Sequence, residues 1–369
     1  MVLTKSQFYY ELKKLKPNQF LTGNNFAKKA DFVYSEAISS DEFKKLKIDE
    51  INFKKLNSNI YIYSKKKINL KENDLIYCKT DNLFELFAKL NKIKNLKNLK
   101  LITHQGAIPS IDKKLYSLKP KCISKWYSVN IGIIRNDLIP IPLGIANSFS
   151  DVSLHPEDFL KFYDNYDNSL KTTHENKIYA NFRTNTNPIR ESFHEEFYDN
   201  KNFIFENPNL SKFEFLTKIA NYKYIFSPRG LGIDTHRFWE ILYAGSTPIA
   251  QEAIIYNNFL NYYQEFVNYK DIDFQKFKNI QLDKNLINLL NVDYWISEIK
   301  KEKIESDEEF NLDYDSEKIT KLQSKISKKY IRYKIINSDY KFITKVKFYI
   351  KSVFNFNDNL FNRFWHVDY

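Results

Sequence analysis

YIFSPRGLGIDTHRFWEILYAGSTPIA, residues 224–250, is punctuated as a strand, a loop, a helix and a second strand. Tyr224–Ser227 is a short aromatic and β-branched run, the pattern of a buried strand. Pro228, Gly230 and Gly232 break it into a loop. Asp234 or Thr235 can cap a helix from about His236 to Ala244, with Gly245 as its stop. Pro248 sits in the next apolar run.

Such a unit can hold an anion. Gly230 and Gly232 allow backbone N–H groups to approach a ligand closely. The start of the following helix adds unpaired N–H donors and the positive end of the dipole. Arg229 and Arg237 bring guanidinium forks that match phosphate oxygens. Glu240 lies one helical turn beyond His236, placed to accept bonds from ribose hydroxyls. The chain has only 7 glycines in 369 residues, so two within three positions stand out.

The segment SPRG-x-GIDTHRFWE-x-LY-x-G-x-x-PI resembles the nucleotide-sugar segment of exostosin-like glycosyltransferases, bacterial and viral members included. Ile178–Arg190, IYANFRTNTNPIR, is similar to the strand and Asn-rich turn that open the C-terminal half in that group. Lys125–Ile145, KWYSVNIGIIRNDLIPIPLGI, is similar to its W-[FY]-x-x-N…PIG segment. The resemblance spans about a third of the chain. It implies a GT-B fold: two Rossmann-like domains facing a central cleft, with the donor held mainly by the C-terminal one. It also implies that Arg183 and Asn185 lie on a donor-facing turn. The donor-site candidates are then Arg183, Asn185, Arg229, Gly230, Gly232, Asp234, Thr235, His236, Arg237 and Glu240.

Length and pattern agree with two domains. Short strands at Asp31–Ser35, Ile60–Tyr63, Asp74–Cys78, Leu99–Thr103, Ile123–Val129 and Ile139–Leu143 are interspersed with helical stretches, as in a parallel α/β sheet. Ser148–Asn176 is polar and reads as the interdomain connection. A second α/β block follows from Ile178. Lys301–Asp315 is acidic and reads as a solvated loop. The expected organisation is an acceptor domain over 1–150, a nucleotide-sugar-binding domain over 176–317, and a helical basic-aromatic extension over 318–369.

Glycosyl transfer with inversion needs a base for the acceptor hydroxyl and charge stabilisation for the leaving diphosphate. Ligands of parallel sheets sit beyond the carboxyl ends of strands. That rule nominates His104, Asp81 and Asp112 as catalytic base candidates. Each also has a plain structural role open to it, as a turn hydrogen-bonder or a helix cap. Asp271-Ile272-Asp273 has the D-x-D form that binds a divalent cation in GT-A transferases, but reads here as a helix cap. No metal or cofactor is required by the GT-B reading. The substrate would be a UDP- or GDP-sugar, and the acceptor a glycan or lipid-linked glycan, as in polysaccharide biosynthesis. An epimerase or hydrolase of the same fold, or a non-catalytic nucleotide- or glycan-binding protein, are the alternatives.

The formal charge is +12, but the lysines are spread along the chain, which argues for a solvated surface and against a nucleic-acid partner. Cys78 and Cys122 lack metal spacing and read as buried thiols. The N-terminal stretch lacks a signal-peptide core, and no apolar run is long enough to span a membrane. A cytoplasmic enzyme is expected, with peripheral contact at the inner face of a membrane through the tail, Lys341–Lys351 and Arg363–Trp365.

Overall fold

Two sheets organise the chain, a mixed one in one unit and an all-parallel one in the other. The computed structural model describes residues 2–106, 110–150, 152–166, 174–184, 187–230, 232–265, 273–277, 280–301 and 308–312. One unit, the β1 unit, is built from Ala27–Pro140 with a return segment from beyond Lys301. Its strands are β1 (Phe32–Ser39), β2 (Ile51–Lys55), β3 (Ile60–Lys65), β4 (Ile68–Lys71), β5 (Leu75–Lys79), β6 (Leu99–His104), β7 (Ile123–Ser128) and β8 (Leu138–Pro140). Their sheet runs β2-β3-β1-β5-β6-β7-β8. From β1 to β8 neighbours pair in parallel, while β3 pairs antiparallel with both β1 and β2. β5 and β6 are buried throughout, as expected of strands covered on both faces.

The other, the β9 unit, joins Met1–Phe26 to Ile141–Lys301. Its strands are β9 (His174–Ala180), β10 (Phe203–Phe205), β11 (Tyr222–Phe226), β12 (Thr247–Ala250) and β13 (Gln264–Glu265). All pair in parallel, in the order β10-β9-β11-β12-β13. Counted within the unit this is order 2-1-3-4-5, the doubly wound arrangement whose switch point lies between its first and third strands. Ile178, Ala180, Tyr224, Phe226 and Ile249 face one way and pack against Phe193 and Phe197 of the helix Pro188–Phe197. Each buried aromatic there stabilises the fold by about 1.5–3 kcal/mol.

The division differs from a boundary at residue 150. Met1–Phe26 belongs with the β9 unit because its apolar side chains are used there. The helix Lys5–Leu12 carries a Thr4/Gln7 capping box and buries Phe8, Tyr9 and Leu12. Tyr9 donates its hydroxyl proton to the Ala244 carbonyl at 2.6 Å, and the Leu21 amide donates to the Tyr243 hydroxyl at 3.0 Å. Gly144, at φ +70°, lies so close that an added Cβ would stand 2.1 Å from the Leu21 carbonyl oxygen. The segment 148–176 is not a bare connection either. His155-Pro156 opens the helix Pro156–Asp164, whose Phe159, Phe162 and Tyr163 are buried. Phe159 and Tyr163 serve the same core, with the Tyr163 hydroxyl bonded to the Tyr243 carbonyl at 2.9 Å.

The acidic stretch 301–315 was expected to be a loop. Within it β14 (Glu309–Leu312) pairs antiparallel with β4, setting Phe310 against Leu70 and Leu312 against Ile68. The extension expected over 318–369, its basic-aromatic stretches included, lies outside the described residues. Among the described residues no helix is long and apolar enough to cross a membrane.

Candidate functional site

Immediately beyond the carboxyl ends of β9 and β11, at the switch point of the β9 unit, is a cavity of about 270 Å³. Asn181, Arg183, Arg190, Pro228, Arg237 and Glu240 supply most of its polar lining. Phe182, Leu210 and Phe215 supply an apolar wall. A second, more open cavity of about 570 Å³ shares Phe182, Arg183 and Pro208 with it and adds His194, Tyr198 and Phe205.

The strand–loop–helix reading of 224–250 maps onto β11, the Pro228–Gly232 loop, the helix His236–Tyr243 and β12. Gly245, at φ +64°, closes that helix. Its N–H bonds to the Leu242 carbonyl and the Ser246 N–H to the Ile241 carbonyl, both characteristic of a Schellman cap. The cap fixes where the helix ends, so Arg237 and Glu240 are presented from its first turns. Arg237 Nε donates to Glu240 Oε2 at 3.1 Å, and its Nη1 donates to the Asn181 carbonyl. The guanidinium lies 4.2 Å from the centre of the Phe215 ring, which stacks and partly desolvates it. Glu240 is itself buried yet lines the cavity.

Arg190, not among the sequence candidates, holds the loop from the neighbouring helix. Asn187 caps the helix Pro188–Phe197 and sets its first turn beside the loop, donating through Nδ2 to the Gly230 carbonyl at 2.8 Å. From there Arg190 reaches three carbonyls: Arg229 at 2.8 Å, Pro228 at 3.0 Å and Arg183 at 3.2 Å. Burial, and then the nearby positive charge of Arg237, push its pKa down to about 10. Two cations held close in a half-dry cavity form a site that an anion would relieve. Lys212 lines the same cavity and pairs with Asp158 at 3.2 Å.

The loop itself behaves differently from the expectation of amides turned to a ligand. The Gly230 N–H donates to the Gly232 carbonyl at 3.2 Å, and its carbonyl accepts from Asn187. Neighbouring loop carbonyls are taken by Arg190. An added Cβ at Gly230 would come within 3.4 Å of Arg190 Nη2, so Gly230 makes room for the arginine. The positive charge of the site therefore comes from side chains. Asp234 is buried and accepts from the Leu143 and Thr235 amides, from Trp239 Nε1 at 2.9 and 3.0 Å, and from the Tyr256 hydroxyl. Burial pushes its carboxyl up to about 7, opposed by those hydrogen bonds. Thr235 shares a hydroxyl contact of 3.1 Å with Ser227. His236 Nδ1 lies 2.7 Å from the Gly144 carbonyl; since a carbonyl only accepts, Nδ1 carries the proton. These three residues brace the loop and helix. Arg183 is exposed at the cavity rim, and Asn185 lies outside the described residues.

Of the base candidates in the β1 unit, His104 ends β6, Asp81 lies just past β5, and Asp112 lies beyond β6 at a helix start. Lys79 and His104 are register partners on β5 and β6. Asp81 follows in a single turn, pairs with Lys79 Nζ, and keeps 24% of its side chain exposed. Burial pushes the Lys79 amine down to about 7. His104 is buried, its Nδ1 accepting from the Gln105 amide at 2.8 Å. Asp112 caps the short helix Lys113–Tyr116 by accepting from the Leu115 amide at 2.8 Å. Among the described residues there is no cluster of three or more metal-ligating side chains; Asp273 caps a single turn, and Asp271 lies outside them. Cys78 and Cys122 are free and buried, their thiols pushed up to about 12 and about 11 by burial.

The fold and site thus define a two-unit α/β protein with a basic cavity at the switch point of one sheet. No family model matches the chain, and no curated protein matches it. Among solved structures, the crystal structure of an alpha1,3-fucosyltransferase is similar over 69% of this chain and 78% of that one, at 10% identity and a TM-score of 0.31. Agreement of that degree assigns no activity.

Proposed function

We propose that the chain is a glycosyltransferase of the GT-B type that binds a nucleoside-diphosphate sugar in the switch-point cavity and passes the sugar to a glycan or glycolipid. One observation carries the reading: Arg190 and Arg237 converge on a cavity beyond β9 and β11 that also presents Glu240. The guanidinium groups would hold the diphosphate and stabilise the charge that develops as it leaves. Glu240 would accept from the ribose hydroxyls, and the Phe182 and Phe215 side of the cavity gives a base an apolar wall. The sequence resemblance to exostosin-like enzymes supports the same assignment of Arg237 and Glu240.

For the acceptor hydroxyl, Asp81 is the strongest of the three base candidates. It is partly exposed, whereas His104 is buried and Asp112 is committed to a cap. The reading is tested by incubating the protein with UDP-, GDP- and CMP-sugars and recording thermal stability and nucleotide release. A hundredfold excess over Kd stabilises by about 2.7 kcal/mol. Stabilisation by a UDP- or GDP-sugar and by none of the rest, with release of the nucleoside diphosphate only when acceptor is present, is the expected result. Release without acceptor would indicate a hydrolase or epimerase instead, and binding without release a non-catalytic protein.

A further inference from the structure

We propose that the β2–β3 edge of the β1 unit is a docking surface for an anionic lipid membrane. β2 is the outer strand of its sheet, and four of its five residues are exposed. Three large apolar side chains lie open there within nine residues: Ile48 (55% exposed), Phe53 (49%) and Leu56 (49%). They are not loosely placed. The Phe53 ring is 4.9 Å from Phe43, which stacks on Tyr61 at 4.0 Å. Phe43 in turn belongs to a core cluster with Ile38, Ile51 and Tyr63. Leu56 sits where the hairpin turns, its amide bonded to the Ile60 carbonyl at 2.9 Å. Phe53 is thus anchored on one face of the edge strand, while Leu56, in register with Ile60, is open on the other face with Lys54.

The same hairpin and its flanks are rich in lysine. Residues 44–67 contain eight lysines against Asp49 and Glu50, which is half of the chain's net +12. Lys55 stands 5.6 Å over the Tyr61 ring, and by strand alternation Lys54 projects from the opposite face of β2. Lys47 is paired with Glu50 at 3.3 Å and Lys44 with Asp41 at 2.9 Å, so the surplus positive charge rests on the remaining lysines. Lysines on an edge strand discourage strand-to-strand aggregation, which accounts for Lys54 and Lys55 but not for open Ile48, Phe53 and Leu56. A nucleic acid would use the lysines and gain little from exposed isoleucine and leucine. Apolar side chains among long cationic ones suit the boundary between headgroups and acyl chains, where both are satisfied. This inference does not depend on the proposed catalytic function.

The test is sedimentation of the full-length protein with phosphatidylcholine vesicles, alone or containing a third phosphatidylglycerol, at low and high salt. The parent should pellet with the anionic vesicles at low salt only. The double variant Lys54→Glu/Lys55→Glu should lower the partition coefficient by about tenfold or more. The variant Ile48→Ser/Leu56→Ser, at two exposed positions, should lower it several-fold with an unchanged melting temperature. Three results would overturn the proposal. The parent could stay in the supernatant. Both variants could pellet as the parent does, which would place the contact elsewhere. The serine variant could bind normally while a duplex oligonucleotide displaces the protein, which would mark a general polyanion surface.

Discussion

Replacing Arg190 by alanine separates a structural from a functional arginine. The change deletes hydrogen bonds of 2.8, 3.0 and 3.2 Å to the Arg229, Pro228 and Arg183 carbonyls. Those carbonyls border an open cavity and can take water instead, so the global stability cost is about 1–3 kcal/mol. The effect on an anionic ligand is larger, because one of two converging cations is gone and the loop it holds is released. Truncating a buried, hydrogen-bonded charge partner costs about 2–4 kcal/mol in binding, or roughly thirty- to eight-hundred-fold in Kd. Arg190→Lys is the discriminating control. It keeps the charge but cannot form the three-way fork to the loop, so it should recover only part of the affinity. Isothermal titration with UDP, GDP and inorganic pyrophosphate reads both. If Arg190→Ala binds all three as tightly as the parent while folding normally, the cavity is not the anion site.

Glu240→Ala should weaken ribonucleotides and leave 2′-deoxyribonucleotides nearly unchanged, measured as a ratio of Kd values in the same titration. Asp81→Asn should lower turnover by about 10²- to 10⁴-fold while donor affinity is retained, checked by initial rates and titration side by side. A drop in both would make Asp81 a folding residue. The Asp234 carboxyl, raised from 3.8 to about 7 in the fold, binds its proton more tightly folded than unfolded. Its contribution is therefore full below about pH 4 and is lost as pH rises toward 7. Urea melts from pH 4 to 7 should show the parent losing stability relative to Asp234→Asn over that window. A parallel pH profile for the two proteins would contradict the assignment.

Much of the β9 unit was legible because its signals are local. The strand ending at Phe226, the cap at Gly245 and β12 each rest on a few adjacent residues whose chemistry leaves little choice. That Arg237 and Glu240 share one short helix was legible for the same reason. Arg190 was not, because its role depends on a loop nearly forty positions away that it meets only after β9 and β11 pair. The same is true of Met1–Phe26, whose Tyr9 and Leu21 find their hydrogen-bond partners at Ala244 and Tyr243. For the base candidates the sequence offered position alone; burial of His104 and the cap bond of Asp112 became visible only in the fold. The pairing of Lys79 with Asp81 was not legible, because a lysine ending a buried strand looks like any other in a lysine-rich chain.

The most direct test of the central claim is a crystal structure of the full-length protein with UDP or GDP bound. The diphosphate is expected between Arg190 and Arg237 beyond β9 and β11, with a ribose hydroxyl on Glu240. Ordered nucleotide anywhere else in the chain, with that cavity holding only water at saturating ligand, would contradict it.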